Sequence, residues 1–401
     1  MIEKFTVTNF LSFKSKFTLN LKAENISELD GNLLTPTYMK YSMLKGVGIF
    51  GNNSSGKTNL FKALSFMKQF VLGKLGGVER EEIDGLIPFK LFHDSERNPS
   101  EFEIIFWLNE KRIRFGFLIT NTEIIEEWLY TSSGKKETNI YLRVQEEFKV
   151  NRGYKKKLEK FSGLVRPNEL FITFAARLNQ DFAEEILSWF RKTRILIEFN
   201  ARDLAKETIK KLEDQNLRLT IESIVKNSGF GIESIILKNI GHTLTLKTKR
   251  KVLDENQNWV AFKEFDLLEE ESLGTIKFFG LIGPILESIK NGSLLVIDEF
   301  DAGFHTLLAQ HLIRLFQSVK HENSAPQLIF SSHNQDLWDK KVLRRDQQLH
   351  MEKDEFQSSF SKSTYDFNLR KDKSVKRSYD KKKLGKLPLL ISPQLTFKFK
   401  P

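Results

Sequence analysis

Apolar residues recur at every second position near the start of the chain: Phe5 and Val7, then Phe17, Leu19 and Leu21. That spacing predicts strands of a twisted antiparallel sheet with one face buried. The short apolar run Val47-Gly48-Ile49-Phe50 comes next, and residues 59–72 then take up the period of an amphipathic helix. Strand-like runs at 101–108, 112–120 and 123–131, separated by turn-sized breaks, predict a three-stranded antiparallel meander. The character changes near Lys155. From there to about Ser228 the pattern is helical, with charged stretches such as 204–213, and reads as an insertion or arm. Strand patterns return at Ile235-Ile236-Leu237-Lys238 and at 243–248. A helix over 275–289 follows, stopped by Asn291-Gly292. Residues 294–297 and 327–330 are short unbroken apolar runs, as expected of parallel strands buried on both faces.

Composition narrows this picture. The chain has 401 residues, 40% hydrophobic and 29% charged, which suits a globular main domain with an insertion. No apolar run approaches the ~18 residues of a membrane span, and Met1-Ile2-Glu3-Lys4 does not open a secretory signal, so a cytoplasmic protein without a membrane partner is expected. With no cysteine there is no disulfide, thiolate nucleophile or Cys-based zinc site, and the seven histidines show no metal-ligand spacing. Net charge is +11, much of it in residues 370–386, where nine Lys/Arg stand against two acids. Such a stretch fits a nucleic-acid backbone, and equally a solvated basic rim.

The chemistry is concentrated in a few segments. Gly51-Asn52-Asn53-Ser54-Ser55-Gly56-Lys57-Thr58, between a predicted strand and a helix opening at Asn59, is a complete G-x-x-x-x-G-K-T loop. Two glycines let the backbone curl so that amides point inward, and the helix start adds its positive dipole end; a nucleoside triphosphate is the natural guest. Lys57 would reach the β- and γ-phosphates, and the Thr58 hydroxyl would take one Mg²⁺ position.

Residues 294–297 end in Asp298-Glu299. A buried strand gives no structural reason for paired carboxylates at its end, whereas a phosphate–Mg²⁺ site at the carboxyl edge of a sheet does. Asp298 would hold Mg²⁺, and Glu299 would orient or deprotonate the attacking water. About thirty residues on, Leu328-Ile329-Phe330-Ser331-Ser332-His333 is a further strand, which would bring His333 to the γ-phosphate. Glu271-Ser272-Leu273-Gly274-Thr275 heads a helix, where it is first a cap and also an anion site.

Taken in order, these pieces and Asp301 resemble the ATP-binding-cassette (ABC) class of P-loop ATPases. The chain looks like the stand-alone bacterial AAA-family proteins related to the SMC, RecF and OLD ATPases, many of which sit in abortive-infection and other anti-phage operons. Phe10-Leu11-Ser12-Phe13, Pro99-Ser100-Glu101-Phe102 and Arg345-Asp346-Gln347 through Arg370-Lys371-Asp372-Lys373 extend the likeness to nearly the whole chain.

The resemblance implies ATP and Mg²⁺ as ligands and a homodimer or higher homo-oligomer. It implies that Ser272 and Gly274 close in trans on a γ-phosphate held by the partner, and that Asp301 couples the two sites. It also implies an α/β fold: a mixed-sheet core, an antiparallel β lobe and a helical insertion. The expected segments are an N-terminal ATPase lobe at 1–150, a helical arm at 151–232, a C-terminal ATPase lobe at 233–350 and a basic segment at 351–401 against the head.

The implied function is a nucleotide-driven switch controlling a separate effector, a nuclease or toxin, in antiviral defence. The alternative is an SMC/RecF-like ATPase in DNA repair or maintenance, binding nucleic acid through the arm and the basic tail. Two departures stand out. No glutamine occurs between Gln69 and Gln145 where cassette ATPases carry one, and Pro88-Phe89-Lys90 lies near the expected place. Ser272-Leu273-Gly274-Thr275 also lacks the paired glycines of transporter subunits. Residues 345–350 satisfy the R-x-x-x-x-H pattern of HEPN ribonucleases, but in a strand-like context unlike their helical pair.

Overall fold

Strand Ile2–Thr8 runs antiparallel to Phe17–Asn20, with Phe5 opposite Leu19 and Val7 opposite Phe17. Phe17 and Leu19 are buried while Thr18 and Asn20 are exposed, so the period-two pattern turns one face to the core. The computed structural model describes residues 1–76, 82–133, 136–158, 163–240, 243–318, 325–338 and 341–367. Within it the meander comprises Ser100–Leu108, Lys111–Ile119 and Ile124–Ser132. Thr138–Val144 and Glu147–Val150 extend it on one side and the N-terminal pair on the other, giving seven antiparallel strands.

A second sheet has the order Arg194–Leu196, Leu294–Ile297, Gln327–Ser332, Gly46–Gly51, Gln348–Lys353, Ser359–Ser363. Every neighbouring pair is parallel except the last. Its strands are apolar without alternation because both faces are covered. Val47, Ile49, Val296 and Ile329 enter one core cluster, and Phe50, Leu295, Ile297, Leu328 and Phe330 the other.

Helix Lys57–Val71 fills the space between the two sheets. It buries Leu60, Phe61, Ala63, Phe66, Met67 and Phe70, and sets Phe66 against Phe102 (4.9 Å between ring centroids) and Phe70 against Phe117 (5.3 Å). Each such ring stabilises the interface by about 1.5–3 kcal/mol. This packing fixes the helix, and hence the loop before it, against a rigid wall. The other face of the parallel sheet carries Ala201–Lys211, Leu273–Asn291 and Thr306–Ser318.

Residues 151–232 are not a free-standing arm. Arg194–Leu196 pairs with Leu294–Ile297 inside the core sheet. Ala201–Lys211 buries Leu204, Ala205 and Ile209 against Leu273–Asn291, where Thr208 Oγ1 donates to the Gly280 carbonyl at 2.8 Å. The charged stretch that reads as an arm is the solvent face of a packed helix. The segment after residue 350 divides: Ser359–Ser363 is an edge strand of the core, while residues 370–386 lie outside the described residues. A third, three-stranded antiparallel sheet is formed by Ser234–Ile240, Thr243–Leu253 and Trp259–Asp266. Among the described residues no helix is long and apolar enough to cross a membrane.

Candidate active site

Three strand ends leave the parallel sheet at the same edge. Ile297 sits beside Phe330 and Ser332 beside Phe50, so the loop after Gly51, the acids after Ile297 and His333 after Ser332 emerge together. Sequence separation of more than 240 residues is closed by strand register alone.

In the loop, Ser54 (φ 62°) and Gly56 (φ 106°) adopt left-handed backbone, and helix Lys57–Val71 begins directly after Gly56 with no side chain capping it. Its first amides therefore remain available to an anion. A Cβ at Gly56 would overlap the Ser359 and Ser12 hydroxyls, so only glycine fits there. Those serines brace the loop from behind: Ser359 Oγ donates to the Ser55 carbonyl at 2.7 Å and lies 2.8 Å from Ser12 Oγ, whose hydroxyl can donate to it.

Lys57 is buried and donates to the Gly51 and Asn52 carbonyls, both at 2.9 Å. Burial pushes its ammonium down to about 8, against the pull of the Asp298 and Glu299 charges. Asp298 is buried and accepts from Ser331 Oγ at 2.5 Å; the same hydroxyl accepts from the Glu299 amide at 2.8 Å. Glu299 is exposed and held at φ 48°, with Lys277 Nζ donating to its carbonyl at 2.7 Å and to the Ala302 carbonyl at 2.9 Å. The His333 imidazole is held below its usual value, first by desolvation and then by the Lys57 cation, with Glu299, Asp301 and Asp298 opposing. Lys57, the acids and His333 thus act on one another electrostatically.

A cavity of about 400 Å³ lies here, lined by Phe50, Gly51, Asn52, Asn53, Ser332, His333, Gln335 and Trp338. Ser272 and Gly274 are not among its lining residues. Ser272 caps helix Leu273–Asn291 through the Thr275 amide (3.2 Å), and Ser272 and Leu273 are exposed. A Cβ at Gly274 would overlap the Gly303 carbonyl, so the head of this helix lies flush against the loop that follows Asp301.

The donor set fits Mg²⁺. Thr58 offers a hydroxyl and Asp298 a buried carboxylate, both hard oxygens. That suits an ion that keeps waters and takes its remaining ligands from phosphates.

A family model described as "AAA domain, putative AbiEii toxin, Type IV TA system" matches residues 47–339, well over half of the chain. The chain belongs to this family. It is a mixed α/β P-loop ATPase domain of the AAA type, the match running from the loop strand through the acids to just beyond His333. No curated protein matches the chain.

Several residues of this AAA-domain site were not singled out by the sequence. Ser331 was visible only as part of a polar strand end. Lys277 carried a usable signal, as the one charged residue in the apolar stretch 273–286 of its helix. Ser359 carried none, because its contact with the loop spans more than 300 residues. The R-x-x-x-x-H pattern has no ribonuclease geometry: Arg345 Nε donates to Glu28 at 2.7 Å, and His350 lies buried on strand Gln348–Lys353, its ring held down to about 4 by burial.

The Lys57 value sets a pH dependence. A phosphate beside the ammonium raises its pKa, so binding takes up a proton wherever the free protein has lost it. Affinity for ATP should be flat below about pH 8 and fall up to about tenfold per pH unit above it. Titration calorimetry across that range checks this, and Lys57→Arg, which keeps its charge, should flatten the fall.

Proposed function

We propose that this protein is an ABC-type ATPase that works as a nucleotide-driven dimeric switch. One observation carries the reading. The phosphate loop and His333 line one cavity and feel the charges of the acids, whereas Ser272 to Gly274 is not among the residues lining it and leaves Ser272 and Leu273 exposed. A head-to-tail pair would bring that segment of one copy onto the γ-phosphate held by the other.

In this reading the loop amides of Gly51 to Asn59 and the Lys57 ammonium hold the triphosphate, and Thr58 and Asp298 hold Mg²⁺. Bound there, Mg²⁺ supplies neutralisation of the β- and γ-phosphate charge. Glu299 takes a proton from water as its oxygen attacks the γ-phosphorus; the bond to the β–γ bridging oxygen breaks and its electron pair leaves with ADP. His333 donates a hydrogen bond to a γ-oxygen. Asp301, next to the loop touched by Gly274, relays closure from one site to the other.

Hydrolysis would open the dimer and so set the state of a separate effector, a nuclease or toxin, in bacterial antiviral defence. The family's toxin–antitoxin description supports that setting.

Mixing two inactive variants tests the arrangement. Lys57→Ala and Ser272→Arg chains should each lack ATPase activity alone. Together they form a heterodimer with one intact composite site, and activity should return. Mixtures as inactive as their components would remove the in-trans arrangement.

A further inference from the structure

The three-stranded sheet at 234–266 has an outer face that the ATPase site does not use. Ile235, Leu246 and Thr248 point inward and are buried. The opposite face carries Lys238, Lys247, Lys249 and Lys251 on the first two strands. Beside them on the third strand lie Phe262, Glu264 and Asp266, with Trp259 at its start. Four lysines thus stand against two carboxylates on the strands themselves, with Glu233 beside them as a third. Glu264 pairs with Lys238 at 2.6 Å, and Lys251 reaches Glu233 at 2.8 Å from the neighbouring loop.

Two aromatic rings of this face are exposed side by side. Trp259 is 58% exposed and Phe262 43%, with ring centroids 5.4 Å apart, and Lys249 Nζ sits 4.5 Å from the Phe262 centroid. Every residue from Lys251 to Glu264 is exposed, so this end of the hairpin projects clear of the core.

We propose that this face binds single-stranded nucleic acid. Trp259 and Phe262 offer flat, sequence-tolerant stacking surfaces for two successive bases, and Lys247, Lys249 and Lys251 run alongside where a phosphate backbone would lie. A duplex hides its base faces and would gain only the lysine contacts. The inference is independent of the hydrolysis reading: it concerns a different sheet and needs no nucleotide.

The test uses the full chain and fluorescence anisotropy with labelled oligothymidylate and oligouridylate, without ATP, at about 50 mM salt. Wild type should bind at least one of them, and bind a duplex of the same length more weakly. Whichever single strand binds more tightly tells DNA from RNA. Trp259→Ala/Phe262→Ala should weaken binding at least about tenfold, since each stacked base is worth about 1–3 kcal/mol. Lys247→Glu/Lys249→Glu should also weaken it and lower the slope of log affinity on log salt by about 1–2. All four side chains lie at or near the surface, so unchanged thermal melting certifies the fold of both variants.

Wild type that binds no oligonucleotide overturns the proposal and leaves the face to a protein partner. Binding that survives both double substitutions overturns it as well, because the contact then lies elsewhere on the chain.

Discussion

Glu299→Gln should lower ATP turnover by about 10²–10⁴-fold, the usual contribution of a positioned general base, while ATP affinity changes only a few-fold. The backbone of residue 299 is fixed from two sides, by Ser331 Oγ at its amide and Lys277 Nζ at its carbonyl, and neither contact involves the carboxylate. Glutamine therefore keeps the φ 48° conformation and the side-chain length, and loses only the capacity to accept a proton. Thermal melting should be unchanged. Single-turnover phosphate release measures the chemical step, and nucleotide-displacement fluorescence measures the affinity. A variant that hydrolyses ATP at the wild-type rate would remove Glu299 from the chemistry.

Lys57→Ala should act on binding instead. The ammonium is buried and donates to two carbonyls of its own loop, so an entering triphosphate exchanges neutral acceptors for charged ones. A hydrogen bond to a charged group contributes about 1.5–3 kcal/mol, and the lysine has donors for more than one phosphate oxygen. ATP affinity should therefore fall at least about 100-fold. The two loop carbonyls lose their donor but border the cavity, where water replaces it, so stability should change little. Titration calorimetry decides the matter: affinity within a few-fold of wild type would mean that the triphosphate does not lie along this loop.

The two variants separate the two halves of the site, and those halves differed in how legible they were. The phosphate loop could be read directly, because its function resides in backbone shape that two glycines and a helix start encode locally. Asp298-Glu299 could be read because carboxylates at the end of an apolar strand have no packing explanation. Their convergence with His333 was expected because each stands at the end of an apolar strand, but local periodicity alone does not encode it. It depends on Leu294–Ile297, Gln327–Ser332 and Gly46–Gly51 being neighbours in that order, and pairing between distant strands leaves no trace in local periodicity.

Length was the second obstacle. Arg194–Leu196 has three residues, too few to show a period, so its place in the core sheet was invisible and residues 151–232 read as an arm. The Gln348–Lys353 and Ser359–Ser363 hairpin was obscured differently. Its polar residues mark a tail in sequence, yet Gln348, His350 and Ser359 are buried, with partners in Leu343, Thr364 and the phosphate loop. Buried polar groups with long-range partners defeat any reading that equates polarity with exposure.

The most direct measurement is a structure of the Glu299→Gln protein with ATP and Mg²⁺. It should show the β- and γ-phosphates on the Lys57 ammonium and the loop amides, with the metal between Thr58 and Asp298. His333 should lie within hydrogen-bond distance of a γ-oxygen, and Ser272 of a second copy should close the other side. A triphosphate bound away from the cavity, or a γ-phosphate out of reach of both Lys57 and His333, would contradict the account.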